Sequence, residues 1–277
     1  MTASDKNTSF FSVIVPTFNR AKQTMAAVRS ILAQDFRDLE IIVVDDGSTD
    51  NTCEVLSGIA CQYPSVRYFH KKNEERSIAR NYGIARASGK YVTFLDSDDI
   101  IYANHLSVAY ALLKKNNFPE VGHLGYEFID ESGSVLLRRN SFDESFKETL
   151  IHENILHGNA IFIRRDIAMN VNFIPSPTAI VSEDWYVWLR LAARYKFYFD
   201  NTITSAVVHH SERSLLNIDP DKLIASTNTI VDYLKLDVPF REAYRHKVSY
   251  HLSNHYTFLA LILALSKRRR LATLKYL

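Results

Sequence analysis

Three aspartates within four positions, Asp96, Asp98 and Asp99, follow directly on the run Tyr91-Val92-Thr93-Phe94-Leu95. Apolar and β-prone residues in such a row read as a buried strand. Side chains alternate along a strand, so Asp96 and Asp98 point the same way if the strand geometry continues through them. Two carboxylates at a strand's end suit a hard cation, which takes oxygen ligands. Taken alone, the same residues are equally well explained as a solvated acidic turn in which Asp99 caps the next helix. Two earlier strand ends also carry polar clusters, Pro16-Thr17-Phe18-Asn19-Arg20 and Asp45-Asp46-Gly47-Ser48. Three clusters on one edge of a parallel sheet would converge on one crevice, where ligands bind in such folds.

The elements that must position them alternate in type. Phe11–Val15 reads as a buried strand stopped by Pro16, and 21–34 as a helix with Met25, Val28, Ile31 and Leu32 on one face. Strands follow at 40–44, 66–69 and 91–95, separated by helices through Val55, Leu56 and Ile59 and from Ser77 to Ala87. This β-α-β-α-β-α-β order predicts a parallel sheet with right-handed crossovers. Beyond Asp99 the rhythm changes. A helix over 103–116 leads to a strand at 122–130, an irregular stretch at 141–160 and a strand at 160–163. A helix over 183–195, a last strand at 198–209 and helices from about Pro220 complete the chain.

The matching stretches Pro16-Thr17-Phe18-Asn19-Arg20, Val43-Val44-Asp45-Asp46-Gly47-Ser48-Thr49-Asp50, Ala79-Arg80-Asn81-Tyr82-Gly83, Phe94-Leu95-Asp96-Ser97-Asp98-Asp99 and Ser182-Glu183-Asp184-Trp185 occur in that order. Over about residues 10–212 the chain thereby resembles the family 2 glycosyltransferases, which have the GT-A fold. The resemblance implies an α/β catalytic domain over 1–219, a Rossmann-like, mostly parallel sheet flanked by helices. Its nucleotide-sugar half would cover about 10–100 and its acceptor half about 101–219, with 220–277 a helical C-terminal extension.

The resemblance also implies roles. Pro16, Thr17 and Phe18 would lie against the nucleotide base, with Asp46 accepting a hydrogen bond from it and Asn19 also binding the nucleotide. Uracil N3–H suits that contact, and guanine also offers donors. Arg76 and Arg80 would steady the nucleotide or its phosphates, a guanidinium being suited to both. Asp96, with Ser97, would face the ribose. Asp98 is the first choice for Mn²⁺ or Mg²⁺, Asp99 a competing ligand, and His210, in His209-His210-Ser211-Glu212-Arg213-Ser214, a further ligand or a diphosphate contact. Asp184 would be the general base of an inverting transfer, oriented by Glu183. His157, Asn159 and Trp185 would shape the acceptor site. The implied partners are a nucleoside-diphosphate sugar, by preference a UDP-sugar, and a glycan or lipid-linked acceptor in cell-surface polysaccharide or glycoconjugate synthesis. The Gln-x-x-Arg-Trp pattern of processive synthases is absent, which favours single additions. A sugar-1-phosphate nucleotidyltransferase would carry a glycine-rich loop after the first strand, and Pro16–Arg20 contains no glycine. A non-catalytic sugar-nucleotide-binding module is the other rival, against which the intact Asp98 and Asp184 stand.

Composition narrows the setting. The 47% hydrophobic and 23% charged fractions are ordinary for a globular chain of 277 residues. Cys53 and Cys61 form no disulfide framework or zinc spacing, and Met1–Ser9 lacks a leader-like apolar run, so a cytoplasmic setting is expected. No stretch approaches the roughly 20 apolar residues of a membrane span. Nothing points to nucleic acid. From Lys235 to Leu277 nine Lys or Arg face two Asp or Glu, a net +7 in a chain of net +2, so residues 1–234 carry −5. Within that tail Phe240, Tyr244, Val248, Leu252, Leu259 and Leu263 recur at helical spacing before Lys267-Arg268-Arg269-Arg270. Such a face, over 240–270, can lie on an anionic inner membrane surface. It can equally pack on the protein's own core or on a second subunit as a homodimer.

Overall fold

A computed structural model of the chain describes residues 9–210 and 219–265. Ser211–Ser214, the Leu263 side chain and Lys267–Arg270 lie outside the described residues. The first half builds β1 (Phe11–Thr17), α1 (Ala21–Leu32), β2 (Leu39–Asp45), α2 (Thr52–Gln62), β3 (Val66–His70), α3 (Glu75–Arg86) and β4 (Tyr91–Phe94). These four strands pair in parallel in the order β3-β2-β1-β4, as the alternating pattern predicts. The chain moves outward from β1 through β2 and β3, then returns to β4 on β1's other side. That reversal is the topological switch point at which an open sheet leaves a crevice beyond its carboxyl ends. Gly83 lets α3 lie tight against β1, since a Cβ there would stand 2.5 Å from Ile14 Cγ2.

Two details of the strand ends differ from the sequence expectation. Pro16 does not stop β1, which runs through Thr17. Pro16 and Thr17 still pair with Val44 and Asp45 of β2, whereas β4 pairs with β1 only as far as Ile14. The missing N–H therefore falls where no neighbouring strand requires it. Beyond Phe94 the extended geometry is lost in a turn closed by Asp99 N–H to the Asp96 carbonyl at 3.0 Å. Asp96 and Asp98 thus do not share a strand face. Their carboxylates reach different partners.

The second half continues through β5 (Ile100–Ile101), α4 (His105–Lys115), β6 (Val121–Asp130), β7 (Val135–Arg139), α5 (Phe146–Leu150), β8 (Ile161–Arg164), α6 (Arg165–Val171), α7 (Glu183–Arg194) and β9 (Phe197–His209). β8 joins β4 antiparallel, then β6, β9 and β5 extend the sheet, with β7 hairpinned onto β6. Helices on both faces bury two large apolar clusters, one centred on α3, α6, α7 and the 142–156 segment, the other on α1, α2 and α4.

The C-terminal extension forms α8 (Pro220–Leu236), α9 (Val238–Ala243) and α10 (Val248–Leu265). Ile230, Leu234, Phe240 and Tyr244 belong to the first cluster, and Val248 and Leu252 pack against it. Leu259 closes a smaller cluster with Ile180, Val181 and Leu223. Asp237 adds a polar lock: it caps α9 through Phe240 N–H at 2.8 Å and accepts from Arg190 and Arg194 of α7 at 2.7 Å each. The apolar face read from the sequence is turned into the protein. Among the described residues no helix is long and apolar enough to cross a membrane. Phe240 is fully buried, so Phe240→Ala is expected to lower the unfolding free energy by about 3–5 kcal/mol. Urea unfolding followed by fluorescence and circular dichroism should show that loss in one coincident transition.

Candidate functional site

All three polar clusters open onto one cavity of about 470 Å³ at the carboxyl ends of β1, β2 and β4. Pro16, Thr17, Phe18 and Arg20 line it from the first strand end, Asp46 from the second, and Asp96, Ser97, Asp98 and Asp99 from the fourth. Asn73, Glu75, Arg76, Ala79 and Arg80 form one wall, and Ile180, Asp219 and Lys222 another. Phe18 is 45% exposed, an apolar ring held at the rim of a polar cavity. That is a surface on which a planar base can stack.

The loop after β2 is built to hold its shape. Asp45 is buried and accepts from Ser48 N–H at 2.8 Å and the Tyr68 hydroxyl at 2.6 Å. Burial alone would raise its pKa, but these donors hold it below the ordinary carboxylate value. Gly47 has φ +85°, and a Cβ there would stand 2.7 Å from Asn73 N. Asp46 accepts from Lys71 Nζ at 2.6 Å and Glu74 N–H at 3.1 Å. Asn19, at φ +51°, ties the first loop to the second: its Oδ1 accepts from Thr49 N–H at 2.7 Å and its N–H donates to Ser48 Oγ at 2.8 Å. Its side chain braces loops rather than lining the cavity.

The acids at the end of β4 are individually committed. Arg80, 6% exposed, donates Nη2 to Asp96 Oδ1 at 2.7 Å and Nη1 to Glu183 Oε1 at 2.8 Å. Burial would raise the Asp96 pKa, yet Arg80 first and then His157 push it well below the carboxylate range. The two acids in turn raise the Arg80 pKa against its own desolvation. Arg76 Nε lies 4.0 Å from Glu183 Oε1. Asp98 Oδ2 accepts from Arg20 Nη1 at 2.6 Å and lies 2.9 Å from His210 Nε2. Asp99 Oδ1 accepts from Val208 N–H at 3.1 Å, while its Oδ2 lies 3.9 Å from His157 Nε2. Asp96, Asp99 and His157 each offer one ligand atom, all within 4.8 Å of one another. Oxygen and imidazole donors of this kind suit Mn²⁺ and, through the carboxylates, Mg²⁺.

Asp184 stands in the first turn of α7, beside the cavity rather than in its lining. Ser182 enters the helix with φ +61°, a left-handed conformation. Asp184 Oδ1 accepts from Trp185 N–H at 2.7 Å and Oδ2 from Asn154 Nδ2 at 3.1 Å. Burial, then the neighbouring Glu183, push its pKa up to about 6 against the opposing pull of Arg80 and those two hydrogen bonds. A carboxylate so tuned can accept a proton near neutrality.

Of the remaining expected residues, His157 stands between Asp99 and the Tyr126 ring, and Asn159 is buried with Oδ1 accepting from Ser205 Oγ at 3.3 Å. Trp185 donates Nε1–H to the Leu150 carbonyl at 2.7 Å, its ring packed on His251 and His255. Among the residues in or beside the site that carried no sequence assignment are Arg20, Asn154 and Lys222. Arg20 sits inside a quoted motif. Asn154 lies in the stretch without periodicity, and Lys222 in the extension.

Residues 12–171 match the family model described as Glycosyl transferase family 2. An uncharacterized glycosyltransferase of Rickettsia felis is 42% identical over 125 residues, 45% of this chain and 20% of that protein. The GalNAc(5)-diNAcBac-PP-undecaprenol beta-1,3-glucosyltransferase of Campylobacter jejuni is 40% identical over 126 residues, 45% of this chain and 40% of the relative. The matched part of this chain thus spans only about a fifth of the Rickettsia felis, Rickettsia conorii and Rickettsia bellii relatives. Among solved structures, S. aureus TarS 1-349 in complex with UDP-GlcNAc superposes with TM-score 0.75 at 20% identity, covering 96% of this chain and 78% of that one. Mannosyltransferase PcManGT from Pyrobaculum calidifontis, in complex with GDP-Man and Mn²⁺, does so with TM-score 0.61 at 19% identity, covering 94% and 76%. Both structural likenesses give the fold, a GT-A α/β sheet.

Removing Arg80 would leave the buried Glu183 carboxylate and the partly buried Asp96 carboxylate without their shared cation. Arg80→Met is expected to cost about 3–5 kcal/mol of stability. Adding Glu183→Gln should recover part of that loss, and a urea-unfolding double-mutant cycle measures the recovery.

Proposed function

The chain belongs to glycosyl transferase family 2, and on that premise we propose that it moves a sugar from a nucleoside-diphosphate donor, by preference a UDP-sugar, to a hydroxyl of a glycan or lipid-linked acceptor with inversion. The observation that carries this reading is the pairing of one acid- and arginine-lined cavity with a base of raised pKa beside it. Phe18 and Asp46 would receive the nucleotide base, Asp46 exchanging Lys71 for the base N–H. Arg76 and Lys222 would meet the diphosphate. The UDP-GlcNAc held by the structurally similar TarS supports a uridine donor, and the undecaprenol in the Campylobacter relative's name supports a lipid-linked acceptor.

Two carboxylate–imidazole sets fit a divalent cation, Asp98 with His210 and Asp96 with Asp99 and His157. We assign the cation to Asp98 and His210. Both acids line the cavity and each meets a guanidinium, but the one on Asp96, Arg80, is nearly inaccessible, whereas the one on Asp98, Arg20, is partly exposed and can move aside. The Mn²⁺ in PcManGT supports that choice of ion. Bound there, the ion would neutralise charge gathering on the departing diphosphate.

In the transfer itself, the acceptor oxygen attacks the anomeric carbon on the face opposite the leaving group. The bond from that carbon to the diphosphate oxygen breaks, its electron pair leaving with the nucleoside diphosphate. Asp184 takes the acceptor's proton. Glu183, fixed by Arg80, lies beside it and, with burial, raises the Asp184 pKa so that it can accept that proton.

A donor screen with and without Mn²⁺, reading nucleoside diphosphate release, tests the reading directly; no turnover with any sugar nucleotide would sink it. Asp184→Asn should lower kcat by about 10²–10⁴-fold, the contribution of a positioned base, with donor affinity little changed. The base works only when deprotonated. Hence kcat/KM should be flat above pH 6 or so and fall about tenfold per unit below it.

A further inference from the structure

We propose that Asn154, which follows a stretch that the C-terminal helix α10 holds through His251, is the positioning residue of the Asp184 carboxylate. The inference rests on the reading of Asp184 as the base. Asp184 is gripped at both oxygens, by its own chain at Oδ1 and by Asn154 Nδ2 at Oδ2. The second grip alone depends on a distant segment. Asn154 belongs to no strand or helix, and follows α5 by a few residues.

What fixes α5 is unusual. A helix leaves its last carbonyls without intrahelical partners, and here two side chains from other elements satisfy them. Trp185 of α7 donates Nε1–H to the Leu150 carbonyl at 2.7 Å, and His251 of α10 lies with Nδ1 2.7 Å from the Ile151 carbonyl. A carbonyl only accepts, so His251 carries its proton on Nδ1. Its Nε2 must then accept from His255 Nε2, 3.2 Å away. Both tautomers are therefore dictated by geometry. Burial holds the His251 and His255 pKa values at about 4 and 3, so both rings are neutral wherever the base is active. They form a fixed connector. Lys247 also pairs with Glu148, in the middle of α5. The extension thus holds the stretch leading into Asn154 at two points.

The ionisable groups that interact with Asp184 include Glu183 on its own helix, Arg80 from α3 and Tyr126 of β6; Arg139 and Glu153, paired with each other, act on Tyr126 in turn. His251 and His255 stand behind Trp185, and His152 packs on Tyr250. Asn154 is the neutral donor among them. Taking it away removes stabilisation of the charged carboxylate and frees its rotamer.

Asn154→Ala should move the acid limb of kcat/KM upward by about one pH unit, so that activity near pH 6 falls several-fold more than activity near pH 8.5. Asn154→Asp, which puts a charge in the same place, should move it further. His251→Phe should move it in the same direction, and His251→Asn, which keeps a donor, should move it less. UDP affinity by calorimetry should stay within about twofold throughout, because none of these residues lines the donor cavity. Titration of Asp184 by carbon-13 NMR, its signal assigned through Asp184→Asn, should show the raised midpoint in Asn154→Ala without reference to turnover. It also serves should His251→Phe fail to fold. An unmoved midpoint and limb in Asn154→Ala, or a loss equal at every pH, overturns the inference while leaving the function standing. Full activity in Asp184→Asn overturns the assignment of the base, and the inference with it.

Discussion

One buried guanidinium organises the site. Arg80 is nearly inaccessible to water, and a cation there is tolerated only when its donors are matched by acceptors. Its two partners come from unrelated parts of the chain: Asp96 from the turn after β4, and Glu183 from the first turn of α7. The requirement to pair this charge brings the cavity and the proposed base into one frame. α3 can supply Arg80 only because Gly83 lets the helix settle against Ile14 of β1. A packing constraint in the sheet therefore reaches the chemistry through a single side chain.

The same guanidinium lets acids a few residues' reach apart carry opposite properties. Asp96 faces it directly and is held ionised far below the ordinary range. Asp184 feels Arg80 less than it feels burial and Glu183, and its pKa rises. Environment divides labour between like groups in this way, one kept as a permanent charge and another poised to take a proton. Glu183 belongs to both arrangements: it neutralises Arg80 and it repels the charged form of its neighbour. Without it burial alone would have to hold the Asp184 pKa up against the pull of Arg80.

The parallel half of the sheet was legible because its signals are local. Runs such as Ile41–Val44 end in polar clusters, and strand order places such ends together whatever the side-chain detail. Pro16 read as a stop because a proline removes a donor; it failed as one because β4 is too short to need that donor. β7 and α5 gave little signal, since Val135, Leu136 and Leu137 are all exposed and α5 has only five residues. Side-chain commitments were the least legible. Nothing in Pro16–Arg20 says that Arg20 will bind Asp98, and Trp185 carries no mark that its indole turns away to serve a helix carbonyl. Those choices depend on partners about thirty or more positions distant.

The extension shows why periodicity alone could not choose its partner. Phe240, Tyr244, Val248, Leu252 and Leu259 announce a buried face, but a membrane, a second subunit and the chain's own core all bury apolar side chains equally well. The discriminating residues are the polar ones on that face. His251 and His255 lie buried on α10 in step with Leu259. Against hydrocarbon their ring nitrogens would have only each other, and the Nδ1–H of His251 would go unsatisfied at a cost of several kcal/mol or so. Against the end of α5 that N–H meets a carbonyl equally in need of a donor. Two unsatisfied groups, each expensive alone, cancel where the surfaces meet. Hydrophobic burial accounts for α10 packing on something. The pairing of a helix-end carbonyl with a buried imidazole accounts for its packing here, behind the stretch that leads to the residue bonded to the proposed base.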